Sequence, residues 1–203
     1  FGPFPGSQGF KSCLRVRILH SWVRKYCYKK GWGSSDDQKG CPANQLDMAH
    51  TINLFSWVAL RNMELQGYRA TAEEAENYHH LWRYAGWLLG TDISLLPENL
   101  DEERTLYNAL VKFYRQPNKA SHVLVDALIR AMGNQPPFFH SEETLKGVAR
   151  YLIGDKGSDE LGEALAPQHL SVGIKQIHRS IAVKYWDIWM IDVVPGWRVI
   201  SSR

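Results

Sequence analysis

The sequence predicts an all-α fold, a single-domain bundle of roughly seven helices, and three observations support this prediction. Apolar residues recur every three or four positions over long stretches of the chain. Helix-capping residues, Gly and Pro fall between those stretches, where helices would start and stop. Alternating β-branched runs bounded by turn residues are almost absent, so few strands are expected. With 203 residues and 44% hydrophobic content, the chain can bury a core as one domain.

The first half of the chain carries four helical patterns with clear start and stop signals. Gly67 and Gly90 follow the second and third patterns, as expected at helix ends. Thr71 and Glu74 have the spacing of a capping box at the start of the third. An acidic first turn after Pro97 suits the positive end of the fourth helix dipole. We predict helices over residues 11–28, 43–66, 72–89 and 98–115.

The second half carries three more helical patterns, separated by Gly and Pro. GNQPP at residues 133–137 stops one helix, and Ser141 opens the next. Residues 154–157 are predicted to form a turn, and Pro167 precedes a long last helix. We predict helices over residues 120–132, 142–153 and 168–191. The domain organisation expected from these elements is an N-terminal arm at 1–13, a helical domain at 14–191 and a C-terminal tail at 192–203.

Composition and charge argue against several classes of function. The net charge is only +3 and the basic residues are spread along the chain, so no nucleic-acid partner is expected. Three cysteines without a CxxC pair indicate neither a zinc site nor a disulfide framework. The chain starts at Phe1 with no signal peptide pattern, and we expect a processed or partial chain. We predict no transmembrane helix, since no apolar run reaches eighteen residues.

An aromatic-rich segment near the C-terminus suggests a contact surface. Residues 181–197 read IAVKYWDIWMIDVVPGW, and charges interrupt their apolar character. Indole and phenol rings favour membrane interfaces, so contact with a membrane surface is one interpretation. Packing against the domain or against a partner subunit is the other. The compartment is not determined by the sequence.

Two stretches place chemically active side chains on helices. In LRVRILHSWVR, residues 14–24, the positions of Arg17, His20, Ser21 and Arg24 share one helix face. His50 lies in QLDMAHT, on the next predicted helix. The Gly- and Pro-containing connection between these helices can fold them back against each other. We therefore expect the two imidazoles to face each other across one gap.

This arrangement suits a haem group in a slot between helices. Haem iron takes one or two axial side chains, and cations suit its propionates. His20 and His50 are the candidate ligands, and Arg17, Arg24 and Arg83 are the candidate cations. The guanidinium of Arg83 lies between Trp82 and Tyr84 in a mainly buried pattern, where it needs an anionic partner such as a propionate.

Other site chemistries fit less well. Asp47-x-x-His50 and Glu76-x-x-His79 have the spacing of a di-iron motif, but the first helix offers no acidic residue for such a site. There is no GxSxG motif for a hydrolase and no glycine pattern for a nucleotide. Four further histidines stand alone and are expected to be structural or exposed: His122, His140, His169 and His178.

Three blocks together resemble a known family. They are LRVRILHSWVR at 14–24, GCPANQLDMAHTINLFS at 40–56 and EEAENYHHLWRYAGWLLGTDISLLP at 73–97. In order and spacing they resemble the family that contains latex clearing protein, a rubber oxygenase, and the fungal oxygenases of the MpaB type. That resemblance implies an α-helical domain that binds haem b through its iron.

The resemblance also implies roles for single residues. His50 matches the proximal iron ligand, and Arg17 matches an arginine of the distal pocket. His20 and Ser21 fall where rubber-cleaving members place a lysine and a threonine, so both departures affect the oxygen-binding side. The expected catalytic residues are therefore Arg17, His20 and Ser21, with His20 and His50 as iron ligands.

The implied function is that of an oxidoreductase. We expect a haem b-dependent oxygenase that acts on an unsaturated lipid or isoprenoid chain, an apolar small-molecule substrate. The alternative is a subunit of a larger assembly, binding haem or free of it, in which the fold serves for packing.

Overall fold

All regular secondary structure among the described residues is helical. The structure, a computed structural model, describes residues 4–33, 40–114, 117–137 and 139–193. Within these ranges there are nine α-helices, three short 3-10 turns and no strand, which confirms the predicted all-α fold. The α-helices are α1 (Gln8–Lys29), α2 (Gln45–Phe55), α3 (Trp57–Leu65), α4 (Ala72–Leu89), α5 (Leu100–Tyr114), α6 (Lys119–Met132), α7 (Glu142–Ile153), α8 (Asp155–Glu160) and α9 (Leu170–Val193).

The chain divides into two compact units. The first comprises Phe1–Glu64 and Arg69–Arg115, and the second comprises Leu65–Tyr68 and Gln116–Arg203. The first unit thus holds α1, α2, α4, α5 and almost all of α3. The predicted boundaries of the arm and the tail stay predictions, and residues 1–3 and 194–203 lie outside the described ranges. No described helix combines the length and the apolar character that crossing a membrane requires.

Local capping chemistry sets most helix ends. The Ser7 side chain accepts a hydrogen bond from the Phe10 amide at 3.1 Å, which starts α1 three residues before the predicted position. Thr71 and Glu74 form both bonds of the predicted capping box at the start of α4. Gly90 closes α4 in a left-handed conformation, with φ +94°.

The single long helix predicted over residues 43–66 is wrong. The chain turns at Ser56, which has φ −94° and ψ −90° and separates α2 from α3. Ser56 is fully buried, and its hydroxyl donates to Glu103 Oε2 of α5 at 2.9 Å. This bond joins the break between α2 and α3 to α5, while the Ser56 amide still donates to the Ile52 carbonyl at 2.9 Å.

The turn predicted at residues 154–157 is also wrong in part. Gly154 turns the chain, but α8 follows it at once. Buried Arg150 forms ion pairs with Asp155 and Asp159 of α8, at 2.7 and 2.9 Å. The same guanidinium donates to the Leu165 carbonyl at 2.8 Å. One buried cation thus stabilises this short helix, which has little support from its own sequence.

Glycines allow close helix approaches in each unit. In the first unit, a Cβ atom at Gly86 of α4 would lie 2.9 Å from Leu96 and 3.1 Å from Ile52 of α2. α4 therefore packs closely against α2 at Gly86. In the second unit, Gly147 of α7 and Gly173 of α9 meet backbone to backbone, so neither position has room for a side chain.

Candidate functional site

The predicted polar face of α1 is held by contacts with the ends of two other helices. Arg17 donates from Nη1 to the Leu88 carbonyl at the end of α4, at 3.3 Å. Arg24 donates from Nη1 to the Ala43 carbonyl just before α2, at 2.9 Å. These two arginines, one turn before and one turn after His20, fix the direction in which this face points.

Gly90 lies at the centre of these contacts. A Cβ atom at this position would lie 3.1 Å from Cζ and Nε of Arg17, so the guanidinium packs directly on the glycine backbone. Gln45 of α2 donates to the Gly90 carbonyl at 3.1 Å and accepts from the Asp92 amide at 2.7 Å. The end of α4, the start of α2 and Arg17 of α1 therefore meet here.

His20 lies between the two arginines with an unused ring nitrogen. Its Nδ1 atom is buried and has no hydrogen-bond partner among the described residues. Burial lowers the pKa of His20, and the charge of Arg24 lowers it further. The imidazole is thus kept neutral, which is the form that binds a metal ion. Ser21, the next residue, is exposed.

His50 lies on α2 against an aromatic ring of α5. Its imidazole stacks on Tyr114 with ring centroids 5.0 Å apart and planes 8° from parallel. It makes no hydrogen bond within the described part of the chain. Burial lowers the pKa of His50, and the charge of Asp47 only partly opposes this effect. His50 is therefore also held neutral, with the plane of its ring fixed.

Tyr114 is itself fixed by Asp47. Its hydroxyl donates to Asp47 Oδ1 at 2.7 Å, and Oδ2 of the same carboxylate accepts from the Asn44 amide at 3.1 Å. Burial, together with the Asp47 carboxylate, raises the pKa of Tyr114 to about 12. No sequence pattern identifies Tyr114, because 67 positions separate it from Asp47.

The two predicted iron ligands lie on helices that share a neighbour. α1 packs against α4, and α2 packs against both α4 and α5. His20 and His50 share no hydrogen bond or ring contact, and the gap expected between them stays a prediction. The structure does place each imidazole, neutral and without a hydrogen bond from the described residues, in the same compact unit.

Arg83, the third predicted cation, lines a separate cavity of about 320 Å³. Its Nε donates to the Leu96 carbonyl at 3.3 Å, and it forms no ion pair with any described carboxylate. His20, His50, Arg17 and Arg24 are not among the residues that line this cavity, which are His80, Arg83, Tyr84, Trp87 and Ile93. The structure therefore does not place Arg83 beside the predicted ligands.

A buried ion pair was missed by the sequence analysis. His79 Nδ1 lies 2.7 Å from Glu103 Oε2, and both side chains are 2% exposed. Burial lowers the pKa of His79, but the hydrogen bond and the charge of Glu103 outweigh it, and the net shift is upward. Glu103 appeared in the sequence only as part of an acidic first turn, which gives no sign of burial.

The carboxylates of the di-iron alternative have other partners. Asp47 accepts from Tyr114, and Glu76 accepts from the Leu100 amide at 3.4 Å, while His79 pairs with Glu103. No three His, Cys, Asp or Glu side chains come together as a metal site in the ranges that the structure describes.

The comparisons with known proteins give one match. The family model described as "ER-bound oxygenase mpaB/B'/Rubber oxygenase, catalytic domain" matches residues 1–181. Comparisons with curated proteins and with solved structures find no match. The matched range contains all the predicted ligands and catalytic residues, together with Tyr114, Asp47 and the cavity beside Arg83.

Proposed function

The chain belongs to the family of MpaB and rubber-oxygenase catalytic domains, and we propose that it is a haem b-dependent oxygenase acting on an unsaturated lipid or isoprenoid chain. The main support for the proposal is the protonation and the hydrogen bonding of two imidazoles, each on a helix. His20 and His50 are both shifted towards the neutral form and make no hydrogen bond among the described residues. Unprotonated imidazole with a free nitrogen is the form that ligates iron.

These residues fit a haem group. A buried ring nitrogen without a partner costs free energy, and a metal ligand role for His20 Nδ1 would remove that cost. His50 would hold the iron on the proximal side, and His20 would approach it on the distal side. When bound, haem b would supply the redox chemistry that activates dioxygen.

Tyr114 and Asp47 support the proximal role of His50. The 5.0 Å stack restricts rotation of the imidazole, and the Asp47 carboxylate holds the tyrosine hydroxyl in place. A ligand whose ring plane is already fixed loses less conformational freedom on binding. Tyr114 is thus a positioning residue that acts through His50.

Arg17 and Ser21 provide the donors on the distal side. Both share the α1 face of His20, and Arg17 makes only one hydrogen bond among the described residues, to the Leu88 carbonyl. Its remaining N–H groups and the exposed Ser21 hydroxyl would donate to oxygen atoms near His20. Arg24, one turn further along, would provide positive charge for a propionate.

Exposed apolar side chains on α1 suit an apolar substrate. Trp22 is 68% exposed although it lies next to the proposed catalytic residues. Others on this helix are also exposed: Ile18, Leu19, Val23 and Tyr26. A helix that carries both the distal donors and an apolar surface would bring a hydrocarbon chain close to them.

The test is an absorption spectrum of the purified chain, with a pyridine haemochrome assay for haem type and amount. We expect one haem b per chain. His50→Ala should remove most of the haem, and His20→Ala should retain haem but lose one proposed iron ligand, which should change the spectrum. His122→Ala is the matched control, because His122 bonds the Glu160 carbonyl in the second unit and should leave the spectrum unchanged. Full haem occupancy in His50→Ala would show that the proximal assignment is wrong.

A structural subunit of a larger assembly is the second candidate function. Large apolar side chains are exposed on α9 as well as on α1, among them Val183, Tyr185, Ile188 and Trp189. Such surfaces fit a partner subunit or a membrane surface. Oxygen uptake that depends on an alkene substrate distinguishes the candidates, since only the oxygenase would show it.

A further inference from the structure

The cavity beside Arg83 has the character of a ligand site. It has a volume of about 320 Å³ and lies between α4 and the 3-10 turn Ile93–Leu95 that follows it. This volume is at the lower end of the range for small-molecule pockets, about 300 to 1,000 Å³. No described residue that lines it is acidic.

The guanidinium of Arg83 presents an unused pair of donors. Its Nε is bound to the Leu96 carbonyl at 3.3 Å, which fixes the orientation of the planar group. The two Nη groups have no hydrogen-bond partner among the described residues. Two parallel N–H groups at the end of an arginine match the two oxygens of a carboxylate. A guanidinium that is held in one orientation and offers two parallel N–H groups, a donor fork, favours a carboxylate over a single hydroxyl.

The nearest acidic residue in sequence is already occupied. Asp92 immediately precedes the cavity-lining Ile93, and it caps the 3-10 turn. Its Oδ1 accepts from the Ser94 amide at 2.9 Å and from the Ser94 hydroxyl at 2.8 Å. Asp92 forms no ion pair with Arg83, so the two Nη groups stay available for an external anion.

The rest of the cavity wall is apolar. The rings of Tyr84 and Trp87 lie 5.8 Å apart and are tilted by 35°, which forms a continuous aromatic surface beside the guanidinium. Trp87 is 52% exposed and Ile93 is 51% exposed, although both are large apolar residues. Contact with a hydrocarbon would remove this surface from water.

We propose that this cavity binds a small apolar carboxylic acid. The Nη groups of Arg83 donate to the two carboxylate oxygens, and the hydrocarbon part lies against Trp87, Tyr84 and Ile93. His80 at the edge of the cavity offers a second polar contact. The site is independent of the proposed haem ligands, since the cavity contains neither His20 nor His50.

The experiment is calorimetric titration of the purified chain with octanoate and with 1-octanol. The two probes have the same hydrocarbon length and differ at the polar end. We expect octanoate to bind about tenfold more tightly than octanol, as charge-assisted bidentate hydrogen bonds would give. Equal affinities for the two probes would overturn the proposal.

Variants separate the carboxylate contact from general charge effects. Arg83→Gln should weaken octanoate binding about tenfold and leave octanol binding unchanged. Arg104→Gln removes the same charge from the same unit, but Arg104 lies over the Trp57 ring and does not line the cavity. Arg104→Gln should therefore leave octanoate binding unchanged, and an equal loss in the two variants would overturn the proposal.

Three further measurements test whether the anion that Arg83 binds is a carboxylic acid. Arg83→Lys keeps the charge but loses the fork, so it should fold like the parent chain and bind octanoate less tightly than the parent. Haem content measured in Arg83→Gln identifies the anion. Loss of haem with unchanged octanoate binding would show that Arg83 serves a propionate, and the inference would be wrong. His50→Ala should bind octanoate normally, whatever it shows for haem.

Discussion

Tyr114 connects His50, a predicted iron ligand, to Asp47 in the first turn of α2. Its ring stacks on His50 and its hydroxyl bonds to Asp47, whose other oxygen bonds to the Asn44 amide before α2. The two functions of this side chain can be separated, since a phenylalanine would keep the ring and lose the hydroxyl. His50 itself has no hydrogen bond from the described residues, so the stack is its main restraint.

Tyr114→Phe should lower the free energy of unfolding by about 1 to 2 kcal/mol, because it removes a hydrogen bond to a carboxylate. Urea unfolding measures this change. Tyr107→Phe is the control on the same helix, since Tyr107 makes no hydrogen bond among the described residues and its loss should cost little. In the proposed haem complex, Tyr114→Phe should leave haem content unchanged, whereas Tyr114→Ala should broaden or shift the spectrum by freeing His50. Equal destabilisation by the two phenylalanine variants would contradict the role of the Asp47 bond.

At the scale of elements, the Ser56–Glu103–His79 cluster joins three helices. Ser56 marks the break between α2 and α3, Glu103 lies on α5 and His79 lies on α4. Both contacts to Glu103 are buried, so the carboxylate needs both donors. The cluster therefore connects the break between α2 and α3 with the contact between α4 and α5.

Glu103→Gln should give a pH-dependent loss of stability. The folded-state pKa of His79 is raised above its ordinary value of 6.5, so the stability it contributes is fully present below pH 6.5. That contribution is lost as the pH rises through the folded pKa of His79. The difference in unfolding free energy between parent and variant should therefore be largest below pH 6.5 and should narrow above it. Urea unfolding across this pH range checks the sign, and a difference that does not change with pH would contradict it.

The crossing of α7 and α9 depends on two residues without side chains. A Cβ atom at Gly147 would lie 2.8 Å from the Cα atom of Gly173, closer than packed atoms allow. Gly147→Ala should cost about 1 to 3 kcal/mol of stability, because the helices must move apart. Glu143→Ala, at an exposed position of the same helix, should change stability by less than about 0.5 kcal/mol. Urea unfolding of the two variants compares the costs, and similar losses would show that the crossing is not tight.

For the whole molecule, local sequence signals predicted most helices correctly. The helix boundaries that were predicted wrongly lie where residues far apart in the sequence are in contact. The Thr71–Glu74 box and Gly90 mark the ends of α4 correctly because each bond spans a few residues. The break at Ser56 depends on Glu103, 47 positions away, and α8 depends on a buried arginine outside it. The candidate ligands came from motif and resemblance, whereas Tyr114 and Glu103 required the folded chain, since no spacing rule relates residues on separate helices.

The contact of Arg17 with Gly90 limits how this position can vary during evolution. Its backbone has φ +94°, which favours glycine, and its missing Cβ leaves room for the guanidinium. Asparagine tolerates left-handed backbone, but its Cβ would still meet Arg17 at 3.1 Å. The two requirements are independent, so relieving one does not relieve the other. Any other residue at position 90 would therefore crowd the guanidinium in its present place, and a descendant chain that lost this glycine would need a new way to orient Arg17.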